Sequence, residues 1–172
     1  MKFRSLPVIL LLSVISVAAS AQNWTATKII DSVTVLMPGT PTSSVKQGQE
    51  GHQLVMNDST KLTFLTINFE DFGLTEDALA AMLDTDEFSE QYKSGIASQG
   101  EVVSEKKGKL NDKYTWYEYE MKTTDDKGKS VTTYIRTTFY KAYGIATVYT
   151  PGLKGLDAAI KDKYFGSLVF GK

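Results

Sequence analysis

The 172-residue sequence contains no cysteine and only one histidine. The first absence excludes disulfides, thiolate catalysis and Cys-based metal sites together. It also excludes the lipid-modified cysteine of a bacterial lipoprotein. Zinc sites need several His or Cys ligands, which His52 alone does not supply. Charge of one sign is lacking too. Lys and Arg number 19 against 20 Asp and Glu, and Lys2 and Arg4 fall in the first segment, so the remainder is weakly acidic. Such a surface has no electrostatic reason to bind nucleic acid. There is no internal repeat, low-complexity run or linker, no G-x-x-x-x-G-K-[ST] phosphate loop and no G-x-S-x-G nucleophile elbow. No cofactor or metal is implied, and no segment names an activity.

What is present begins with MKFRSLPVILLLSVISVAASAQ. Lys2 and Arg4 precede an apolar run that ends at Ala19-Ser20-Ala21, the layout of a secretory signal peptide. Pro7, Ser13 and Ser16 interrupt the run, which is shorter than the ~20 apolar residues of a spanning helix. Residues 1–21 are therefore expected to be removed, leaving 22–172 as one exported, soluble domain, periplasmic or secreted. A cysteine-free exported chain suits a bacterial envelope better than a small disulfide scaffold.

Along the chain, SVTVLM (32–37) alternates like a strand and stops at Pro38. Pro38-Gly39 fits a type II turn, with Gly39 at positive φ. Residues 40–51 are polar, a loop or loose hairpin arm; HQLVM (52–56) and KLTFLTINFE (61–70) follow as strands. The latter is apolar on both faces, so something should pack on each side of it. Thr75 is a natural N-cap ahead of the stripe Leu79, Met82, Leu83, while Phe88, Tyr92 and Ile96 form a second stripe out of phase with the first. The slip, where Asp84 and Glu87 have capping-box spacing, predicts two short helices or one kinked one. From Glu101 the period becomes two, giving strands near 101–110, 113–124, 129–141 and 143–150 in an antiparallel meander. Leu156, Ile160 and Tyr164 then mark a terminal helix, 156–165. The expectation is an α+β fold: a mainly antiparallel sheet of six to seven strands, a split or kinked helix after the third strand, and a C-terminal helix.

The strand running into Pro38-Gly39-Thr40-Pro41, the helix from Thr75 before a meander, and the close Phe165-Gly-Ser167-Leu168-Val-Phe170 together resemble the PsbP/Mog1-type fold. The resemblance covers most of residues 22–172. It implies an antiparallel sheet between helices, and a binding or assembly module rather than an enzyme. The fold hosts photosystem accessory proteins, a small-GTPase partner and many small exported bacterial proteins, and has no shared catalytic set to carry over. Cystatin-like and NTF2-like folds are the structural rivals.

Candidate chemistry is sparse. His52 at a strand start is better read as partly exposed packing than as a triad base. The acidic group Asp84, Asp86, Glu87 and Glu90 lacks calcium-loop spacing and is explained by helix capping and a solvated face. Glu118 and Glu120 share one strand face, where acid–base work is conceivable but cross-strand pairing with Arg136 is simpler. The aromatics are more suggestive, since seven of the 9 tyrosines fall between 114 and 149. One hairpin register would gather Tyr117, Tyr119, Tyr134 and Arg136 on a single face, with Tyr114 and Trp116 nearby, as a contact surface for a ligand or partner. The leading expectation is a non-enzymatic envelope module that binds an unknown protein partner or envelope component through that aromatic face. The alternative is a carrier of a small apolar or aromatic ligand between sheet and helix; a hydrolase using Glu118, Glu120 or His52 is the third. A flat exposed aromatic patch would favour the first, and a pocket above ~300 Å³ lined by the tyrosines the second.

Overall fold

The computed structural model describes residues 23–46, 49–124 and 128–171; the expected leader, 1–21, lies outside them. The first half holds strands β1 (Thr25–Ile30), β2 (Val33–Met37), β3 (Thr42–Lys46), β4 (Gln49–Val55) and β5 (Lys61–Asn68). A 3-10 turn (Phe69–Phe72) and two helices, α1 (Glu76–Met82) and α2 (Asp86–Ala97), come next. The meander β6 (Glu101–Leu110), β7 (Tyr114–Thr124), β8 (Ser130–Tyr140), β9 (Tyr143–Thr150) leads to α3 (Ala158–Phe165) and the short β10 (Val169–Phe170). Seven strands form one antiparallel sheet in the order β3-β4-β5-β9-β8-β7-β6, and three form a second, β1-β2-β10. Among the described residues no helix is long and apolar enough to cross a membrane.

The fold is the expected α+β type, with more strands than expected. β1 and β3 were not foreseen as strands, so the helices follow the fifth strand instead of the third. β3 grows from the polar stretch expected to be a loop or loose hairpin arm, and it is an edge strand, where one-sided pairing does not demand apolar residues. β2 does end at Met37, but Gly39 is not among the positive-φ glycines, so the Pro38-Gly39 corner is not a type II turn.

The helix is split where the apolar phase slips. The hydroxyl of Thr75 caps α1 by accepting from Ala78 N at 3.3 Å, and that of Thr85 caps α2 by accepting from Phe88 N at 3.2 Å. Thr85, not the expected Asp84, is thus the second cap; Asp84 instead meets Lys107 and Lys109 of β6 at 3.4 and 3.5 Å. Likewise Asp157 caps α3, which starts at Ala158, and leaves Leu156 outside the helix and 49% exposed.

Two cores flank the large sheet. On its first face Leu62, Phe64, Ile145 and Tyr149 pack against Val33, Val35 and Met37 of β2 and Tyr164 and Phe165 of α3. The terminal Phe-x-Ser-hydrophobic close is a clasp within this layer. Ser167 Oγ donates to Tyr164 O at 2.8 Å and accepts from Leu36 N at 3.1 Å, while the Phe170 ring lies 4.8 Å from Tyr140 and 4.2 Å from Tyr114. On the second face Leu79 of α1 and Phe88 of α2 pack against Tyr117, Tyr119, Met121 and Phe139. Each such buried apolar side chain stabilises the fold by about 1.5–3 kcal/mol.

Candidate functional site

The β7–β8 register decides what the aromatic set can do. Glu118 stands opposite Arg136, Tyr119 opposite Ile135 and Glu120 opposite Tyr134. Strand alternation therefore sends Tyr114, Trp116, Glu118, Tyr134 and Arg136 to the first face, and Tyr117 and Tyr119 to the second. The expected gathering of Tyr117 and Tyr119 with Tyr134 and Arg136 does not occur. Tyr117 and Tyr119 are buried beneath α1 and α2, at 2% and 1% exposure, and the Tyr117 hydroxyl donates to Leu83 O at the helix junction. Tyr114 packs on Tyr140 and Phe170. The set is split between two packing layers.

What remains on the first face is a buried ion cluster. Glu118 accepts from Arg136 Nε at 2.9 Å, from the same guanidinium's terminal nitrogen, and from Lys161 Nζ of α3 at 3.1 Å. The guanidinium lies between two rings, 4.3 Å from Trp116 and 5.0 Å from Phe165. Burial works against the charge on Lys161, but its hydrogen bonds and charge pairing with Glu118 and Asp162 outweigh it and raise its pKa above the ordinary lysine value. Glu118 is thus held by two cations, the cross-strand pairing expected on simple grounds with a helix lysine added. A general acid or base would need a free carboxyl lone pair or proton aimed at a substrate. The adjoining recess, with Lys106, Glu120 and Tyr134 on its walls, measures 190 Å³. Burial, reinforced by Glu120, raises the pKa of the Tyr134 phenol there.

The other candidates are structural in placement. The His52 ring stacks on Phe64 at 4.7 Å, and the cavity beside it is 40 Å³ with no carboxylate on its walls, too small for a substrate. Asp86 and Glu87 lie in the first turn of α2, where negative charge complements the helix dipole. Among the described residues no group of three or more His, Asp or Glu is placed to hold a metal ion.

Among the described residues a wide opening lies on the second face. α1 and α2 pack over β6, β7 and part of β8, and beside α2 the strands β5 and β9 are covered less completely, with Leu65, Ile67 and Val148 only half-buried. A groove of 690 Å³ results. Its floor is the set of residues that the registers put on one face: Leu65 and Ile67 of β5, Ala146 and Val148 of β9, Thr133, Ile135 and Thr137 of β8, Met121 and Thr123 of β7. Its wall is α2, with Tyr92, Ile96, Ser98 and Gln99. Tyr92 fixes the helix to the floor by donating its hydroxyl to Thr137 Oγ1 at 2.7 Å, and burial pushes its pKa up to about 12. At one end Gly144 lets Phe69 lie close over the sheet, since a Cβ there would stand 3.0 Å from the Phe69 ring. Sequence reasoning missed this groove, although its one signal was read: the apolar second face of 61–70 was expected to be covered, and Leu65 and Ile67 are only half-buried.

No protein-family model matches the chain, and no curated protein matches its sequence. Among solved structures it is similar to the solution structure of cyanobacterial PsbP (CyanoP) from Synechocystis sp. PCC 6803. The TM-score is 0.54 at 12% identity, covering 89% of this chain and 95% of that one. A crystal structure from Bacteroides thetaiotaomicron VPI-5482 has a TM-score of 0.46 at 10% identity and covers 81% of this chain and 45% of that one. The Synechocystis likeness establishes a PsbP-like fold, in agreement with the resemblance read from the sequence.

Proposed function

We propose that this chain is an exported, non-enzymatic binding module that carries a small apolar ligand in the groove between α2 and the β5–β9 side of the sheet. The observation that supports it is the groove itself: 690 Å³, within the ~300–1,000 Å³ of small-molecule sites, floored by aliphatic side chains with Thr123, Thr133 and Thr137 among them and walled by Tyr92, Ile96, Ser98 and Gln99. The leader-like residues 1–21 support export. A PsbP-like fold suits an accessory or binding role, and the candidate acids and His52 sit in packing or ion-pair positions. The protein-partner reading through the aromatic face loses Tyr117 and Tyr119 to the core. Its remaining support is single exposed apolar side chains such as Phe72 and Leu153, 72% and 86% accessible, which sit beyond opposite ends of β5.

Native mass spectrometry of the protein isolated from its own cell envelope tests the proposal. A retained small molecule, lost in a Val148→Trp variant that fills the groove floor, is the expected result. A stoichiometric protein partner, kept by Val148→Trp and lost on Leu153→Glu, would overturn it in favour of the partner reading.

A further inference from the structure

The 190 Å³ recess on the first face holds charges and a donor that folding leaves unspent. Lys106 of β6 stands opposite Glu118, but both Glu118 oxygens are taken, Oε2 by Arg136 and Oε1 by Lys161. Lys106 meets no carboxylate within ion-pair distance among the described residues. Glu120 stands opposite Ser104 and accepts from its hydroxyl at 3.4 Å through Oε2, which leaves Oε1 open. Tyr134 flanks Glu120 on the other strand, and its hydroxyl makes no hydrogen bond among the described residues. Its raised pKa keeps that hydroxyl protonated at neutral pH, so it can donate. A pair closing across the recess between Lys106 and Glu120 would be solvent-exposed and worth little, so a ligand displaces it easily.

The two signs decide the ligand. A lone anion drawn to Lys106 would face Glu118 and Glu120, and a lone amine drawn to Glu120 would face Lys106 and Lys161. A molecule that carries both charges a few bonds apart answers both walls. We propose that the recess binds the zwitterionic head of a free α-amino acid, its ammonium on Glu120 and its carboxylate on Lys106 and the Tyr134 hydroxyl. The recess is smaller than the ~300 Å³ at which small-molecule sites begin, so it takes the head group alone. Tyr134 and Leu156 also wall a neighbouring cavity of 300 Å³, with Val131 and Pro151, which receives the side chain. The recess and the groove lie on opposite faces of the sheet, so each fills independently of the other.

Amide NMR titrations at pH 6.5 test it with glycine, leucine, phenylalanine and glutamate, followed by the N-acetyl and amide forms of whichever binds most tightly. At least one free amino acid should give saturable shifts around Ser104, Lys106 and Tyr134, and blocking either end should weaken it at least tenfold. Lys106→Met should weaken the free and N-acetyl forms and spare the amide form. Glu120→Gln should weaken the free and amide forms and spare the N-acetyl form. Both residues have access to solvent, and unchanged melting temperatures establish that the variants fold. A blocked form binding as tightly as the free amino acid would overturn the zwitterion. No saturable shift from any of the four, or binding indifferent to both variants, would overturn the site, and neither result touches the carrier reading of the groove.

Discussion

Replacing Glu118 by Gln removes the one negative charge between two buried cations. Glu118, Arg136 and Lys161 expose 6%, 16% and 11% of their side chains, so solvent screens the cluster little. Breaking a buried ion pair by deleting one partner costs about 3–5 kcal/mol, because the surviving charge stays desolvated. The amide oxygen of Gln still accepts one hydrogen bond, which places the cost near the lower end, about 3 kcal/mol. For a chain of this size that lowers Tm by about 6–12 °C. Urea unfolding followed by tryptophan fluorescence measures it, with Trp116 stacked on Arg136 as a local probe. The pH dependence carries the sharper test. In the native protein the pKa of Lys161 is raised, so its contribution is complete below the unfolded lysine value and is lost as pH rises through the folded one. Without Glu118, burial outweighs the mostly exposed Asp162, the Lys161 pKa falls below its unfolded value, and stability rises with pH. The deficit of Glu118→Gln should therefore narrow between pH 7 and 10, and Lys161→Met added to it should recover at least ~1 kcal/mol. A cost under ~1 kcal/mol at pH 7, or a deficit that widens with pH, would refute the reasoning.

Tyr92→Phe should cost about 1 kcal/mol through loss of the hydrogen bond to Thr137. With a folded pKa of about 12 against 10.0 unfolded, Tyr92 contributes stability below pH 10 that drains above it by about 1.4 kcal/mol per pH unit; circular-dichroism melts from pH 9 to 12 should fall less steeply in the variant. Gly108→Val places a Cβ where 2.4 Å separates it from the Trp116 ring, so it should displace the indole, shift its emission to the red and cost about 1–3 kcal/mol. Gly152→Ala meets backbone instead, with Asp58 O at 2.1 Å, and should destabilise more than Gly108→Val because a peptide cannot rotate aside; parallel chemical denaturation ranks the two.

The helices were legible because their signals are local. Thr75 and the stripes Leu79–Met82–Leu83 and Phe88–Tyr92–Ile96 lie within single turns of one another, and the structure uses all of them. The choice between Asp84 and Thr85 as second cap was not legible, since both precede the helix and Asp84 is drawn to Lys107 and Lys109, 23 and 25 residues away. The meander was visible from its period of two, but its register was not. A shift of one residue exchanges the two faces of a strand, and here it separates Tyr117 and Tyr119 from Tyr134 and Arg136. The Glu118–Arg136 pair was foreseen as the simpler alternative, whereas Lys161 comes from a helix 43 positions away and left no mark in β7 itself. The groove is a property of coverage, of which helix lies over which strand, and coverage is not encoded in any one segment.

Coverage follows from widths. Seven strands spaced ~4.8 Å apart span roughly 29 Å, while a helix with its side chains is about 10–12 Å across. On the first face a second sheet and α3 share the task. On the other, α1 and α2 belong to one tandem segment over the β6–β8 side, and β5 and β9 at its margin are covered less completely. The residues there fit a surface that must survive uncovered. Thr123, Thr133 and Thr137 keep the β-branched shape a strand favours while wetting the floor between aliphatic neighbours. A floor of valine and isoleucine alone would be an exposed apolar patch of the kind that aggregates. A ligand laid on this floor would desolvate what remains exposed of Leu65, Ile67, Ile135 and Val148, each already half-buried or more, so each adds about a third or less of the ~1.5–3 kcal/mol of a full burial. The face that folding leaves half-finished is thus the one with most to gain from an occupant.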